Sequence, residues 1–476
     1  MPIIRVLAAG SNAHGQLANE TFDDSHVFLP CVFSPDHISI PKYQLPGDKV
    51  HSIACGANHT LLLVELDYPN GQRHEPTRQL WGCGDGLKGQ LGPSFSRSAS
   101  QSRSPVFWRL DETIMAAASL DKEKYIISAI AAAWESTFIV LRPKHELLRH
   151  SQDIVIAMGN NDHGDLGIGL APTELKYSHQ PRRIALEEIV NADYPNILSG
   201  FHVRSIVAGL HHVIVMLQLF LRGGDEQIVI GWGSSRHEQL GSYPSPLSPR
   251  PKLDKQTRLR PFTLRPRILS VFQKVPGMHT TDPIVRCALG SHHSVFLHHS
   301  GRITGLGSNK KGQLAGLRDT SRIISDVRCT WNGTYLTLRS RDGEPSLDHP
   351  GWEIQVTGSG GKGQLGGGSV ASSTLGLEAV KFPFTPDKRR LIDMACGSEH
   401  GLVLVERFNE GTSPGAEETQ EVWAWGWNEH GNLGLGHTTD AHLPVVIWPL
   451  PGAGQVASRI YSIWAGCGTS WIVETS

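Results

Sequence analysis

Histidine is the residue type in this sequence with the clearest capacity for chemistry, because imidazole can act as a general base or a metal ligand. The chain has 24 histidines in 476 residues. Four of them occupy the same position of a recurring segment: His59, His212, His293 and His400. The other three copies of the segment carry different residues there: Ser136, Gly333 and Thr469. A catalytic residue or metal ligand is not expected four times at equivalent places, whereas a hydrogen bond that supports a turn is.

Adjacent histidines also fail as a ligand set. Neighbours along a strand point to opposite faces, which separates the side chains of the pairs His211-His212, His292-His293 and His298-His299. The sequence contains no nucleophile elbow with a Ser/His/Asp set, no phosphate-binding P-loop and no His-Glu-x-x-His motif. We therefore predict no catalytic, cofactor-binding or metal-binding residue, and a protein that is not an enzyme.

Glycine-rich turns are the next candidates, because such loops can cradle phosphate. An apolar strand followed by Gly, four residues, a second Gly, a polar residue and Leu occurs seven times: Gly10–Leu17, Gly84–Leu91, Gly159–Leu166, Gly233–Leu240, Gly307–Leu314, Gly358–Leu365 and Gly426–Leu433. Only Glu238 departs from the second glycine. These turns do not open helices, as nucleotide-binding loops do. They predict loops built for shape, in which the second glycine permits positive φ and the leucine enters the core.

A second segment alternates with the first and reads as two short strands around a tight turn. It also occurs seven times: Ile53–Leu63, Ile130–Val140, Ile206–Val215, Cys287–Leu297, Val327–Leu336, Met394–Leu404 and Ile463–Val473. Recurrence over the whole chain indicates a repeat architecture. One repeat would supply about four short strands, which is one antiparallel blade, so we predict an all-β, seven-bladed β-propeller.

The spacing of the repeats predicts a single propeller over residues 1–476. Successive first glycines lie 74, 75, 74, 74, 51 and 68 residues apart, whereas a compact blade needs about 40 to 50 residues. The expected repeats are 3–66, 79–142, 153–222, 227–299, 301–340, 352–406 and 421–475. Long insertions are expected at 93–125, 167–202 and 241–283, with a short helix around 185–192. Ring closure should place the first strand, near 3–9, beside the last strands, near 460–473.

Charge and cysteine usage limit the classes of function. The chain has 44 Lys and Arg against 45 Asp and Glu, so no overall field favours nucleic acid or a membrane surface. The basic segment 241–283 is the exception; it meets either an acidic or phosphate-bearing partner or only solvent. The Ser-rich loop 94–104 would allow phosphorylation. Seven cysteines without a Cys-x-x-Cys pair indicate a reduced intracellular compartment and a structural role for the thiols.

The paired segments resemble the regulator of chromosome condensation (RCC1) repeat family, and the match runs from Val6 to Val473. This resemblance implies a seven-bladed propeller that acts by binding. Within the family, a chain that begins directly at the first blade is similar to the fungal alpha-tubulin suppressor, or killer-toxin-insensitivity, group.

That group implies a cytoplasmic, and also nuclear, scaffold that is monomeric on its own. Its expected partner is a small CSL-type zinc-finger protein, with roles in diphthamide synthesis and in Elongator-dependent modification of wobble uridine in tRNA. The alternative within the fold is a guanine-nucleotide exchange factor for a Ran-like small GTPase. No exchange residue of the family can be matched to a position here, and neither membrane nor direct nucleic-acid binding is expected.

Overall fold

The computed structural model describes residues 3–35, 42–66, 77–95, 102–144, 152–195, 197–222, 224–242, 262–271, 282–317, 323–339, 351–368, 373–374, 376–407, 419–449 and 459–475. In chain order the strands are β1 Ile4–Gly10, β2 Ser25–Pro30, β3 Lys49–Cys55, β4 His59–Leu66, β5 Thr77–Asp85, β6 Arg103–Arg109, β7 Tyr125–Ala132, β8 Ser136–Pro143, β9 Ile154–Asn160, β10 Tyr177–Arg183, β11 Ile197–Ala208, β12 His212–Leu221, β13 Gly224–Ser234, β14 Phe262–Ile268, β15 Ile284–Leu289, β16 His293–His298, β17 Ile303–Gly307, β18 Ile323–Thr330, β19 Gly333–Arg339, β20 Trp352–Gly358, β21 Glu378–Ala379, β22 Arg389–Cys396, β23 His400–Arg407, β24 Thr419–Gly426, β25 Ala441–Trp448, β26 Arg459–Ala465 and β27 Thr469–Thr475. The helices are α1 Asp111–Ala117 and α2 Leu186–Asp193, with 3-10 turns at Pro93–Phe95 and Pro386–Lys388. None of these described helices is long and apolar enough to cross a membrane.

The strands form seven antiparallel sheets arranged as the blades of a ring, which confirms the predicted β-propeller. Blades 1, 2 and 3 are β3–β6, β7–β10 and β11–β14; blades 5 and 6 are β18–β21 and β22–β25. Blade 4 has three strands, β15–β17, within the described residues. Blade 7 combines both ends of the chain in the order β2-β1-β27-β26. Its central pair runs in register from Ile4 opposite Thr475 to Gly10 opposite Thr469, as ring closure required.

Sequence repeats and blades are offset by half a unit, so the expectation that one repeat forms one blade is wrong in its boundaries. The repeat at 79–142, for example, supplies β5 and β6 to blade 1 and β7 and β8 to blade 2. Every repeat therefore ties two blades together. The offset has a physical consequence, because the last blade can be completed only by strands from both ends of the chain.

The three segments that were predicted to be insertions contain the outermost strands of three blades. β6 lies within 93–125, β10 within 167–202 and β14 within 241–283. Each of these strands contains a proline, at Pro105, Pro181 and Pro266. Proline cannot donate to a neighbouring strand and is tolerated at a sheet edge, where it also blocks pairing with other molecules. The proline and the polar residues around it interrupt the apolar alternation, which is why the sequence did not reveal these strands. The helix expected around 185–192 is α2.

The hydrophobic core lies between neighbouring blades. Phe138 of β8 in blade 2 packs edge-on against Trp232 of β13 in blade 3, with ring centroids 5.8 Å apart. Leucines that end the glycine turns, such as Leu17 and Leu166, are fully buried, as predicted. Each turn therefore fastens its loop to the core between two blades.

The second glycine of the turn adopts positive φ, as predicted. Gly15 has φ 83°, and Glu238, which replaces this glycine in the fourth copy, has φ 62°. A non-glycine residue in this region is strained, typically by about 1–3 kcal/mol. The loop geometry thus persists even where the favoured residue is missing.

Candidate functional site

The two ends of the central channel differ. We call the end that carries the turns between the first and second strands of each blade the turn face, and the opposite end, where the inner strands begin, the start face. At the turn face, a cavity of about 150 Å³ is lined by residues from all seven blades. Trp134 of blade 2 and Trp331 of blade 5 meet there, with ring centroids 5.9 Å apart. These two indoles narrow the channel at the turn face.

The four repeated histidines connect neighbouring blades. His59 Nε2 in blade 1 lies 3.0 Å from Thr137 Oγ1 in blade 2, and the Thr137 hydroxyl donates to the carbonyl of Gln90 at 2.7 Å. Because the hydroxyl has only one proton, His59 must donate through Nε2–H. Nδ1 then carries no proton, and it has no hydrogen-bond partner.

The same arrangement recurs around the ring. The further pairs are His212 with Ser294 at 3.1 Å, His293 with Thr334 at 3.2 Å and His400 with Ser470 at 3.0 Å. Burial lowers the pKa of His59 and His212 to about 3 and that of His293 and His400 to about 4. These imidazoles are therefore neutral at physiological pH. The structure shows the predicted structural role, but the prediction that the hydrogen bond supports the local turn is wrong, because the bond reaches the next blade.

A glycine three residues before each of these histidines makes room for the ring. A Cβ added to Gly56 would lie 2.2 Å from Cε1 of His59, and one added to Gly290 would lie 2.1 Å from Cε1 of His293. Two blades without the histidine have Ala133 and Thr330 at this position. The pairing of Gly with His at i+3 was visible in the sequence, and its cause is this contact.

At the start face, every inner strand contains a β-bulge. The pairing register shifts at one point in six of these strands and at two points in β11. At the point that all seven strands share, each strand has one extra residue: His51, Ser128, Arg204, Val285, Ser325, Ile392 and Tyr461. A bulge bends the strand and redirects a side chain. The inner strands have the same geometry in every blade, and they place seven side chains of different types around the start-face mouth of the channel.

Blades 4 to 7 expose an arc of apolar side chains at this mouth. Tyr461 is 58% exposed, Ile323 52%, Val285 50% and Ile392 39%. Ile323 begins its inner strand, and the other three are bulge residues. Large apolar side chains grouped on a rigid rim are typical of a protein-binding surface. We call these four residues the apolar arc.

A line of polar contacts runs beside the apolar arc and joins blades 4 to 7. Arg286 pairs with Asp326 at 2.8 Å, Arg328 contacts Asp326 at 3.1 Å and Asp393 at 3.9 Å, and the Ser462 hydroxyl donates to Asp393 at 3.3 Å. Burial raises the pKa of Asp393, and the charge of Arg328 opposes that shift. The contacts hold the inner strands of these blades in a fixed relation.

Two cavities open beside this line. One of about 660 Å³ lies between blades 3 and 4 and includes Arg204. The other, of about 520 Å³, lies between blades 5 and 6 and is lined in part by Arg286, Arg328, Arg339, Arg389 and Arg390. Arg389 pairs with Glu421 and Arg390 with Glu406. The start face therefore combines arginine with exposed apolar side chains.

The remaining sequence predictions have mixed outcomes. Most of the basic segment 241–283 and residues 96–101 of the Ser-rich loop lie outside the described residues. Arg267 of the basic segment donates to the carbonyls of Leu240 and Gly241 and so has a structural role. The sequence analysis missed the bulge residues, which stand two positions before each second segment; their column is variable, but the neighbouring columns are variable as well, so residue type alone does not mark them.

The cysteines divide between the core and the turn-face cavity, which is lined in part by Cys55, Cys329, Cys396 and Cys467. All seven are free, and three are fully buried. Burial raises the pKa of Cys55 to about 11 and of Cys329 and Cys467 to about 12. Thiols with such pKa values are protonated at neutral pH and react poorly.

The three tryptophans near the C-terminus differ in burial. Trp425 is buried, whereas Trp423 and Trp427 are half-buried.

The described residues form a closed seven-bladed propeller with exposed apolar side chains at its start face. Comparison with known proteins shows which repeat family the chain is similar to. The model of the regulator of chromosome condensation (RCC1) repeat matches residues 5–63 and 420–472. These segments supply strands to blades 1, 6 and 7, including the blade that closes the ring. In these segments the chain is similar to the RCC1 repeat.

Several curated proteins are similar to this chain, two of them over nearly its whole length. The ultraviolet-B receptor UVR8 of Arabidopsis thaliana is 24% identical over 98% of this chain and 83% of its own length. An RCC1 repeat-containing protein of Schizosaccharomyces pombe, C10F6.04, is 23% identical over 98% of both chains. The secretion-regulating guanine nucleotide exchange factor of Bos taurus is 26% identical over 72% of this chain and 62% of its own length.

Solved structures share the fold. Human WBSCR16 superposes with a TM-score of 0.61 and 17% identity, covering 99% of this chain and 98% of its own. Prp20p from Saccharomyces cerevisiae, whose binding to Gsp1p and histones has been described, gives a TM-score of 0.62 and 15% identity, covering 99% of this chain and 91% of its own. At these identities the likeness concerns the propeller alone.

Proposed function

We propose that this protein is a non-enzymatic interaction scaffold that binds a protein partner at the start face of the propeller. The observation that carries the proposal is the apolar arc of Val285, Ile323, Ile392 and Tyr461 beside several arginines. Tyrosine and arginine are among the residue types that dominate binding energy at protein interfaces, and the buried centre of an interface is more apolar than the rest of the surface. A closed ring holds them in place before binding, which reduces the entropy lost on association.

The partner that we propose is a small CSL-type zinc-finger protein, and the processes are diphthamide synthesis and Elongator-dependent modification of wobble uridine in tRNA. The support for this finer assignment is the resemblance of the chain to the fungal alpha-tubulin suppressor group.

Guanine-nucleotide exchange on a Ran-like GTPase is the second candidate. It is favoured by the similarity to the secretion-regulating guanine nucleotide exchange factor, which covers 72% of this chain. An exchange factor acts on its partner by binding and opening it, so this candidate also requires a protein-binding face. The two candidates differ in partner and in the consequence of binding.

Titration calorimetry and co-elution on a sizing column with each partner separate the candidates. Tyr461→Asp and Ile392→Asp should weaken binding of the zinc-finger protein by about 30-fold or more, the effect of losing an interface hot spot. Val446→Asp is the matched control, because Val446 is 43% exposed but lies on the outer strand β25. Equal binding by Tyr461→Asp and the unmodified protein would place the interface elsewhere.

A nucleotide-release assay completes the test. Accelerated loss of fluorescent GDP from the Ran-like GTPase in the presence of the propeller would establish the exchange-factor class. Binding to neither protein would overturn both partner assignments.

A further inference from the structure

A cluster of potential metal ligands lies on the turn face between blades 2 and 3. His163 and Asp165 belong to the glycine turn that follows β9, and His211 belongs to the turn between β11 and β12. One ligand atom from each of the three side chains can be chosen so that all three atoms lie within 4.8 Å of one another. The imidazole rings of His163 and His211 are tilted by 31° to each other, with centroids 4.1 Å apart. His163 and His211 are 48 positions apart in sequence, so considering only adjacent histidines does not bring them together.

Asp165 is the member of the cluster that distinguishes this repeat. At the same position of the other six glycine turns the residue is an amide: Gln16, Gln90, Gln239, Gln313, Gln364 and Asn432. In five of those turns the glutamine Oε1 accepts a hydrogen bond from the backbone N–H two residues earlier, with N to O distances of 2.8 to 2.9 Å. Asp165 Oδ2 does the same for His163 N–H at 2.8 Å. A glutamine would therefore satisfy the loop equally well, and the carboxylate adds a negative charge that the loop does not need.

The second oxygen of Asp165 faces His211. Asp165 Oδ1 lies 3.1 Å from His211 Nδ1, while the carboxylate itself is 3% exposed. The backbone carbonyl of Asp165 accepts a hydrogen bond from Trp232 Nε1 at 2.8 Å, which fixes the residue against the core. The carboxylate is thus held rigidly with one oxygen directed at an imidazole of the next blade.

His163 supplies the independent observation. Its Nδ1 is buried and has no hydrogen-bond partner, and it lies 3.9 Å from Asp165 Oδ2, beyond hydrogen-bond distance. A buried, unpartnered nitrogen is unfavourable unless something else fills its coordination.

We propose that His163, Asp165 and His211 form a binding site for a borderline divalent transition-metal ion, with Zn²⁺ as the expected occupant. Two imidazoles and one carboxylate are a common ligand set for Zn²⁺ with open positions. Ligand atoms at about 2.0–2.2 Å from zinc lie about 3.3–3.5 Å apart in a tetrahedral site, so small side-chain rotations would close the cluster around an ion. The exposed edge of His163 leaves room for water to complete the coordination. This site is independent of the start face and of any partner that binds there.

The test uses the full-length protein after its affinity tag has been removed and after treatment with a chelator. Isothermal titration with Zn²⁺ should show one equivalent bound, and Co²⁺ should produce the visible absorption of a low-coordinate site. Zinc should also raise the melting temperature. His163→Ala and Asp165→Gln should each abolish all three signals, and Asp165→Gln should fold normally because five other repeats have glutamine there.

The neighbouring blade offers a matched control. His237 and His292 occupy the equivalent positions between blades 3 and 4, with rings 4.4 Å apart, but the residue between them is Gln239. His237→Ala should leave zinc binding unchanged. The proposal is overturned if the unmodified protein binds no stoichiometric metal, or if Asp165→Gln binds zinc as well as the unmodified protein does.

Discussion

Mild acid should destabilise the propeller through the four histidines that connect its blades. The pKa of His59 is about 3 in the folded protein, against 6.5 for an ordinary histidine. Above about pH 6.5 the ring is neutral in both folded and unfolded chains. As the pH falls below that value the unfolded chain binds a proton that the folded protein cannot accept, so stability is progressively lost until the folded pKa is reached.

The size of the effect follows from the pKa difference. Between about pH 7 and pH 5, one such histidine removes about 2 kcal/mol from the free energy of unfolding. Four of them would remove about 8 kcal/mol, which is comparable with the whole stability of a typical domain. Measuring only at or above about pH 5 limits the contribution of carboxylates to the loss of stability, because their ordinary pKa values are about 4.

Urea unfolding followed by tryptophan fluorescence at the two pH values measures this directly. His59→Gln retains a polar group near Thr137 but cannot titrate, so its loss of stability should be about 2 kcal/mol smaller than that of the unmodified protein. The exposed His299 provides a control, since His299→Gln should keep the full pH dependence. If His59→Gln loses as much stability as the unmodified protein between the two pH values, the assignment of the pH dependence to these histidines is wrong.

Three further outcomes are expected. Gly56→Ala should lower the free energy of unfolding by about 1–3 kcal/mol, the usual cost of overpacking, because the new methyl group meets the His59 ring; Gly361→Ala, where a Cβ meets nothing within 4 Å, should not. Deleting residues 467–476 removes β27, the partner of the first strand, and should abolish the cooperative unfolding transition; an unchanged melting temperature would contradict this account of ring closure. Alkylation with iodoacetamide at neutral pH should leave Cys55 unmodified in the folded protein and label it in urea, and fast labelling of the native state would show that burial does not protect the thiol.

The sequence by itself determined the number and type of the repeats. Seven glycine turns and seven strand pairs are local patterns, since positive φ at Gly15 and burial of Leu17 depend on the turn in which they stand. A ring also follows from seven equal units that cannot bury their faces alone. The position of the first strand beside the last could therefore be predicted from the repeat count.

The tertiary structure decided which residues meet between repeats. The partner of His59 is Thr137, in the next blade, and His163 meets His211 across a blade boundary. The apolar arc exists because four consecutive inner strands bring their starts to one mouth of the channel. Val285, Ile392 and Tyr461 are bulge residues there, and Ile323 begins its strand. Such contacts depend on the relative placement of separate sheets, and residue spacing along one strand or turn carries no information about that placement. This is why the sequence predicted the scaffold, whereas the candidate binding surfaces became visible only in the folded ring.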